Sequence, residues 1–240
     1  MKIRLENLSY DYDGQPAIRD VSTTLLRGSF VCLLGQNGSG KTTLLHLLTG
    51  QLLPDVGSVS FAHSNDDTIP PRQHRRHFAF LPQDLHDPPY ATVRDVVALG
   101  RFQPDSGLRW RLDRPDHEMI DACLEQCQMA EFAKRPFSEL SGGEKQRAWL
   151  AFCLAQDKQF LILDESLHGT DFFVRQTLFQ LMSNVAAEGR GVVLTTHDLE
   201  LASRFADRVL VLRKGSLAYD GTPQQEWNDY VQGNPLGTDA

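Results

Sequence analysis

Residues 34–44 read LGQNGSGKTTL, three glycines and a lysine set between two apolar stretches. Phe30 to Leu34 is a short, continuous apolar run, the pattern of a strand buried on both faces of a parallel sheet. From Thr42 to Leu48 the apolar residues recur at helical spacing instead. The glycine-rich loop therefore joins a strand to a helix. In that setting Gly35, Gly38 and Gly40 allow backbone angles and close approaches that a Cβ forbids. The successive N–H groups from Gly35 through Gln36, Asn37 and Ser39 to Gly40 are free to turn around an anion. A helix starting near Lys41 adds its unpaired amide donors and the positive end of its dipole. Lys41 is placed to reach the outer phosphates of a nucleoside triphosphate and the Thr42 hydroxyl to ligate Mg²⁺, with Thr43 beside them among the nucleotide-binding residues. A G-x-x-x-x-G-K-[ST] match arises by chance in roughly one in a hundred chains of this length. The strand-to-helix context makes an accidental glycine turn rarer still.

The surroundings are those of an ordinary globular protein. The chain has 240 residues, 41% hydrophobic and 23% charged, enough for one substantial core with room for an inserted lobe. No apolar run approaches the roughly 20 residues needed to cross a bilayer, and MKIRLENLSY lacks the apolar centre of a signal peptide, so a cytosolic location is expected. The net charge of −7 argues against broad electrostatic binding of nucleic acid. The local exception, PPRQHRRHF with Arg72, His74, Arg75, Arg76 and His77, reads as a solvated basic segment ahead of a strand. Cys32, Cys123, Cys127 and Cys153 have apolar neighbours and no zinc-like pairing; Cys123 and Cys127 are expected to share a helix face in the core.

Further buried-strand candidates are Phe78 to Leu81, Phe160 to Leu163, Val192 to Thr195 and Val209 to Leu212. Ligands of open α/β sheets gather at the carboxyl ends of strands, so Gln83, Asp164, Glu165 and His197 are expected near the phosphate loop. In FLILDE, Asp164 is suited to hold Mg²⁺ and Glu165 to face a water attacking the γ-phosphate. Between about Asp84 and Asp157 the texture changes: HEMIDACLEQCQMAEFA carries helical spacing, and the stretch reads as a helical lobe inserted in the α/β body. That lobe ends in ELSGGEKQRAWLAFCLAQ, where Ser141 and Glu144 have the form of a capping box opening a helix. A cap does not call for Gly142 and Gly143, which weaken a helix. They make sense where the helix start must approach a second phosphate closely.

GQNGSGKT, Gln83 in FLPQD, LSGGEKQR, FLILDE, Asp171 on the next loop and His197 in TTHD occur in one order along nearly the whole chain. As a set they resemble the nucleotide-binding subunit of ATP-binding cassette transporters. The resemblance implies an α/β P-loop core with a parallel-rich sheet, an N-terminal antiparallel β portion and an inserted helical subdomain. The single domain would divide into a core of residues 1–83 and 158–240 and a signature-bearing lobe of 84–157. It also implies a head-to-tail dimer, with ATP and Mg²⁺ between Lys41 of one copy and Ser141, Gly142 and Gly143 of the other. Tyr12 would stack on the adenine, although Tyr10 lies close by. Gln83 would sense the γ-phosphate, join the metal site and contact the permease; His197 would contact the γ-phosphate, and Glu165 would serve catalysis. One departure stands out: after Glu165 the family has Pro-Thr and a loop ending Leu-Asp, where this chain reads Ser166-Leu167-His168-Gly169-Thr170-Asp171. TVRDVVALGRF and the signature helix are similar to cassettes that import ferric siderophores, haem and cobalamin. The implied setting is the cytoplasmic face of a membrane, bound peripherally to permease subunits fed by a substrate-binding protein. A cassette for another cargo, or a regulatory cassette outside transport, is the alternative.

Overall fold

The computed structural model describes residues 1–62, 68–69, 74, 76–83, 85–102, 111–164 and 171–223; of 68–69 only the backbone is described. Arg72, Arg75, Asp84, Glu165 and residues 166–170 lie outside the described residues.

The phosphate-loop strand sits inside a six-stranded sheet. Its members are β3 (Phe30–Leu34), β6 (Phe78–Leu81), β7 (Phe160–Leu163), β8 (Gly191–Thr195), β9 (Arg208–Arg213) and β10 (Ser216–Gly221), in the order β10-β9-β3-β8-β7-β6. All pairs are parallel except β9 with the edge strand β10. The continuous apolar runs follow from burial on both faces. Phe30, Cys32 and Leu34 enter one core with Leu161, Leu163, Val192, Leu194, Val209 and Val211, while Val31, Leu33, Phe160, Ile162, Val193, Leu210 and Leu212 enter another. The period of two along each strand thus splits every strand between two cores.

The second core is closed by an antiparallel sheet of order β2-β1-β4-β5, made of β1 (Lys2–Tyr12), β2 (Gln15–Leu26), β4 (Val56–Ala62) and β5 (Thr68–Ile69). Helix α1 (Lys41–Leu48) packs Leu44, Leu45, Leu47 and Leu48 into it. Strands β1 and β2 join through Asp13-Gly14, both at positive φ (48° and 82°), which suits the two-residue turns that match strand twist. His74 lays its ring 4.1 Å from that of Phe61, so part of the basic segment packs on the sheet instead of being wholly solvated.

The first core is closed by helices. Here α2 (Val93–Leu99), α3 (Arg114–Gln126) and α4 (Gly142–Ala155) meet α5 (Phe172–Ala187) and α6 (Leu199–Phe205) over the sheet. The starts of α2, α3 and α4 are all closed by capping boxes, at Thr92, Asp113 and Ser141. The helical spacing of residues 117–133 does not form one helix. Helix α3 ends at Gln126, Gln128 turns the chain at φ 56°, and a short 3₁₀ turn spans Ala130–Phe132. Cys127 continues the stripe of Ile120, Cys123 and Leu124 past the helix end, and Met129, which falls off that stripe, reaches the same core because the chain turns at Gln128. Burial pushes the thiol of Cys123 up to about 11, as expected of an inert core cysteine.

Candidate nucleotide site

The loop after β3 is shaped by steric necessity. At Gly35, φ is 152° and a Cβ would fall 2.4 Å from the Leu212 carbonyl oxygen; at Gly40, φ is 105° and it would fall 2.6 Å from that of Ala17. Gly40 is the N-cap of α1, so the cap offers no side chain, and the first turn of α1 holds no acid. The helix start thus keeps its free donors and positive potential for an anion. Lys41 is only 5% exposed, and its ammonium donates to the carbonyl oxygens of Gly35 at 2.9 Å and Gln36 at 3.3 Å, lying along the loop. The Ser39 Oγ is buried with no hydrogen-bond partner among the described residues.

A cleft of about 550 Å³ opens over this loop, lined by Asn37, Gly38, Gly40, Lys41, Thr42 and Thr43 on one side and Tyr12, Gln15, Pro16, Ala17 and Gln83 on the other. Tyr12 is 46% exposed and meets Tyr10 edge to face at 4.9 Å, which leaves the Tyr12 ring as an available wall. Sequence reading missed Gln15, Pro16 and Ala17. Their signal was the Asp13-Gly14 turn, which sets Gln15 directly across from Tyr12.

Asp164 lies just past the end of β7, 2% exposed. Its N–H donates to the Leu81 carbonyl at 2.8 Å, and its Oδ1 accepts from the Thr195 hydroxyl at 2.8 Å. The Thr195 hydroxyl, on β8, was not anticipated; a buried carboxylate needs such a donor to be tolerated. Gln83 lines the cleft, whereas Asp164 and His197 are outside its lining. His197 is exposed on the loop after β8. Next to it, Asp198 caps α6 and accepts from the Arg175 Nε at 3.1 Å, tying this loop to α5. Asp171 is the N-cap of α5, its Oδ1 accepting from the Val174 N–H at 2.9 Å. Glu165 lies outside the described residues.

The start of α4 has a different construction. The Ser141 N–H donates to the Glu144 carboxylate at 2.7 Å and the Glu144 N–H to the Ser141 Oγ at 3.4 Å. Hydrogen bonds from the Ser141 N–H and hydroxyl hold the Glu144 carboxyl below the usual carboxylate range, helped by Arg135 and Arg147. Ser141 and Gly142 are exposed, and a Cβ on Gly142 would meet nothing within 4 Å among the described residues.

Residues 18–168 match the family model described as ABC transporter. Among curated relatives, the iron(3+)-hydroxamate import ATP-binding protein FhuC of Bacillus subtilis (strain 168) is 33% identical over 218 residues, covering 90% of this chain and 81% of the relative. The uncharacterized ABC transporter ATP-binding protein YvrA of the same organism is 36% identical over 223 residues, covering 92% of this chain but only 50% of YvrA. A solved nucleotide-free ATP-binding cassette from an ABC transporter superposes with a TM-score of 0.82 at 23% identity, over 98% of this chain and 96% of that one, which establishes the shared fold. The chain belongs to the ABC transporter family, as an ATP-binding, ATP-hydrolysing cassette.

Proposed function

We propose that this cassette works as one half of an ATP sandwich. In this reading the phosphate loop of one copy and the start of α4 of a second copy close on the same nucleotide. The observation that carries it is the contrast in glycine environment. Gly35 and Gly40 are demanded by neighbouring backbone, but nothing among the described residues demands glycine at 142. A residue that costs up to about 1 kcal/mol of helix stability and fills no internal need is explained by a close approach from outside.

Within the cleft, Tyr12 offers a ring for the adenine, and Gly35, Gln36, Asn37, Gly38, Ser39 and Gly40 present backbone to the phosphates. Lys41 would give up its carbonyl contacts for the β- and γ-phosphates. The Ser141 hydroxyl and the N–H groups of Gly142 and Gly143 would close the far side. Mg²⁺ fits the donor set: among the described residues no three acidic, His or Cys side chains cluster for a metal. This ion takes one or two protein ligands with phosphate oxygens and water. The Thr42 hydroxyl and the Asp164 carboxylate would hold it, with Gln83 at the margin, and when bound it would offset charge on the transferring phosphoryl group. Glu165 would orient the attacking water, His197 would steady the γ-phosphate, and Asp171 would stand at the seam between copies. Residues 84–157 would form the lobe that presents Ser141–Gly143, attached to the core of 1–83 and 158–240.

The likeness to FhuC supports an iron chelate, or the chemically related haem or cobalamin, as cargo. Among the described residues no helix is long and apolar enough to cross a membrane. The cassette would work against permease subunits at the cytoplasmic face, loaded by a substrate-binding protein.

Glu165→Gln tests the chemistry. It removes the charge and keeps the shape, so a dimer should persist with ATP and Mg²⁺ while turnover drops by about 10²-fold or more. Wild-type turnover in this variant would remove Glu165 from the reaction. Loss of labelled ferric hydroxamate uptake in cells carrying Lys41→Ala tests the cargo; retained uptake with loss of another nutrient would reassign it.

A further inference from the structure

Helix α2 and the strap that leads into α4 are stitched together. The Val93 N–H donates to the Arg135 carbonyl at 3.0 Å, the Arg94 N–H to that of Ala133 at 2.9 Å, and the Phe137 N–H to that of Ala91 at 2.9 Å. Thr92 and Pro136 form an isolated bridge. This seam fixes residues 91–94 to 133–137, but it stops short of both the Gln83 end of the first segment and the α4 end of the second. One further contact spans the remaining distance. The Lys145 Nζ, in the first turn of α4, meets the Asp87 Oδ2 at 2.6 Å, four residues beyond Gln83. Asp87 is followed by Pro88 and Pro89, whose fixed φ stiffens the run to Thr92. Leu85, between Gln83 and Asp87, packs on the helical core.

We propose that the Asp87–Lys145 ion pair is a strut that sets the start of α4 relative to the Gln83 loop, making both residues positioning residues for ATP-driven closure. The proposal rests on the reading of Ser141–Gly143 as the far side of the nucleotide. Glu144 points its carboxylate back to Ser141, so within the first turn the capping box orders the loop locally. The neighbouring lysine carries the long-range tie, 58 residues back along the chain. The Lys145 side chain is 27% exposed and that of Asp87 41% exposed. A pair at that depth contributes little to global stability and is weakened by salt. It is therefore suited to bias an equilibrium between positions of α4 without holding the fold together.

The test uses the full chain with Asp87→Asn, Lys145→Met and the swapped pair Asp87→Lys/Lys145→Asp. Hydrogen exchange of residues 142–148 reads the strut without any dimer. Either single variant should exchange about 3- to 5-fold faster than wild type at low salt, the scale of a partly exposed ion pair. The swap should recover most of that protection, and high salt should erase the difference. For closure, either single variant should bind ATP with affinity unchanged within about 2-fold yet require several-fold more ATP to dimerise, with the swap again restoring it. Unchanged exchange in the single variants, or a swap that restores nothing, overturns the strut. Wild type that never dimerises with ATP counts instead against the sandwich, while the exchange result still decides the strut.

Discussion

At the start of α1 a Cβ on Gly40 would sit 2.6 Å from the Ala17 carbonyl oxygen, whereas at the start of α4 a Cβ on Gly142 would stand in open space. Both helices begin with glycine near a proposed phosphate contact, yet their ends are built differently. The start of α1 has a glycine cap at φ 105° and a lysine folded along the loop, with no side chain closing its donors. That of α4 is closed by a reciprocal Ser141–Glu144 box. The first loop is shaped by its own chain, with the Lys41 ammonium bonded back to the Gly35 and Gln36 carbonyls. The second is a capped helix start whose glycine has no such backbone contact among the described residues. On the proposed sandwich, the difference separates glycines that the fold needs from a glycine that the assembly would need.

The largest expected effect lies on the α1 side. Gly40→Ala places a Cβ against backbone at a φ that L-residues rarely adopt, and should cost about 3 kcal/mol of folding stability and abolish ATP binding. Thermal melting and nucleotide titration check both. A variant with wild-type stability would erase the contrast from that side.

A smaller effect is expected from the cap of α4. Ser141→Ala should cost about 1 kcal/mol through loss of the capping bond, read as a lower melting temperature. Ser141→Asp keeps the cap and should hold stability, but it sets a carboxylate where the partner's phosphate is proposed to lie, so ATP-dependent dimerisation should fall. Equal dimerisation in Ser141→Asp and wild type would confine Ser141 to capping.

The smallest effect concerns acid. The Asp95 carboxyl, bonded by the Thr92 hydroxyl and N–H, and that of Glu144, bonded by the Ser141 N–H and hydroxyl, both lie below their ordinary range in the folded chain. A lowered folded value means the boxes contribute fully above the unfolded carboxylate range, near about pH 4 to 4.5, and fade as pH drops through the folded values. Hydrogen exchange should therefore loosen at the starts of α2 and α4 on acidification, while the start of α1, which has no carboxylate cap, changes less. Equal loosening at all three starts would contradict this account of the caps.

Much of the fold was legible because the sheet is buried on both faces. Phe30–Leu34, Phe78–Leu81 and Phe160–Leu163 are strands with the bounds the apolar runs mark, and β8 and β9 extend beyond their runs by a residue or two. The break after Gln126 was hidden, since Cys127 continues the stripe of Ile120, Cys123 and Leu124 just as the backbone turns. Helices α5 and α6 were not read. Their starts rest on Asp171 and Asp198, each followed by a stretch whose polar residues dilute the pattern. In the site, the phosphate loop and Gln83 share one cleft because the glycine motif and a strand-end position fix them by topology. Ala17 and Thr195 were illegible. One comes from a hairpin folded over the loop, and the other is a strand residue whose hydroxyl matters only once β7 lies beside β8.

The comparison turns on Gly142, where stability and assembly should move in opposite directions. Gly142→Ala adds a methyl group to open space in a helix, so the isolated chain should gain about 0.5 kcal/mol and bind ATP as wild type does. The same methyl would stand between the helix start and a phosphate held by the second copy. Dimerisation with ATP and Mg²⁺, measured by light scattering in a Glu165→Gln background, should weaken by about tenfold or more, the factor carried by losing one hydrogen bond of roughly 1.5 kcal/mol to a charged group. A Gly142→Ala chain that melts higher and no longer pairs is the predicted result. One that pairs as readily as its parent would contradict the claim that this glycine serves the partner copy.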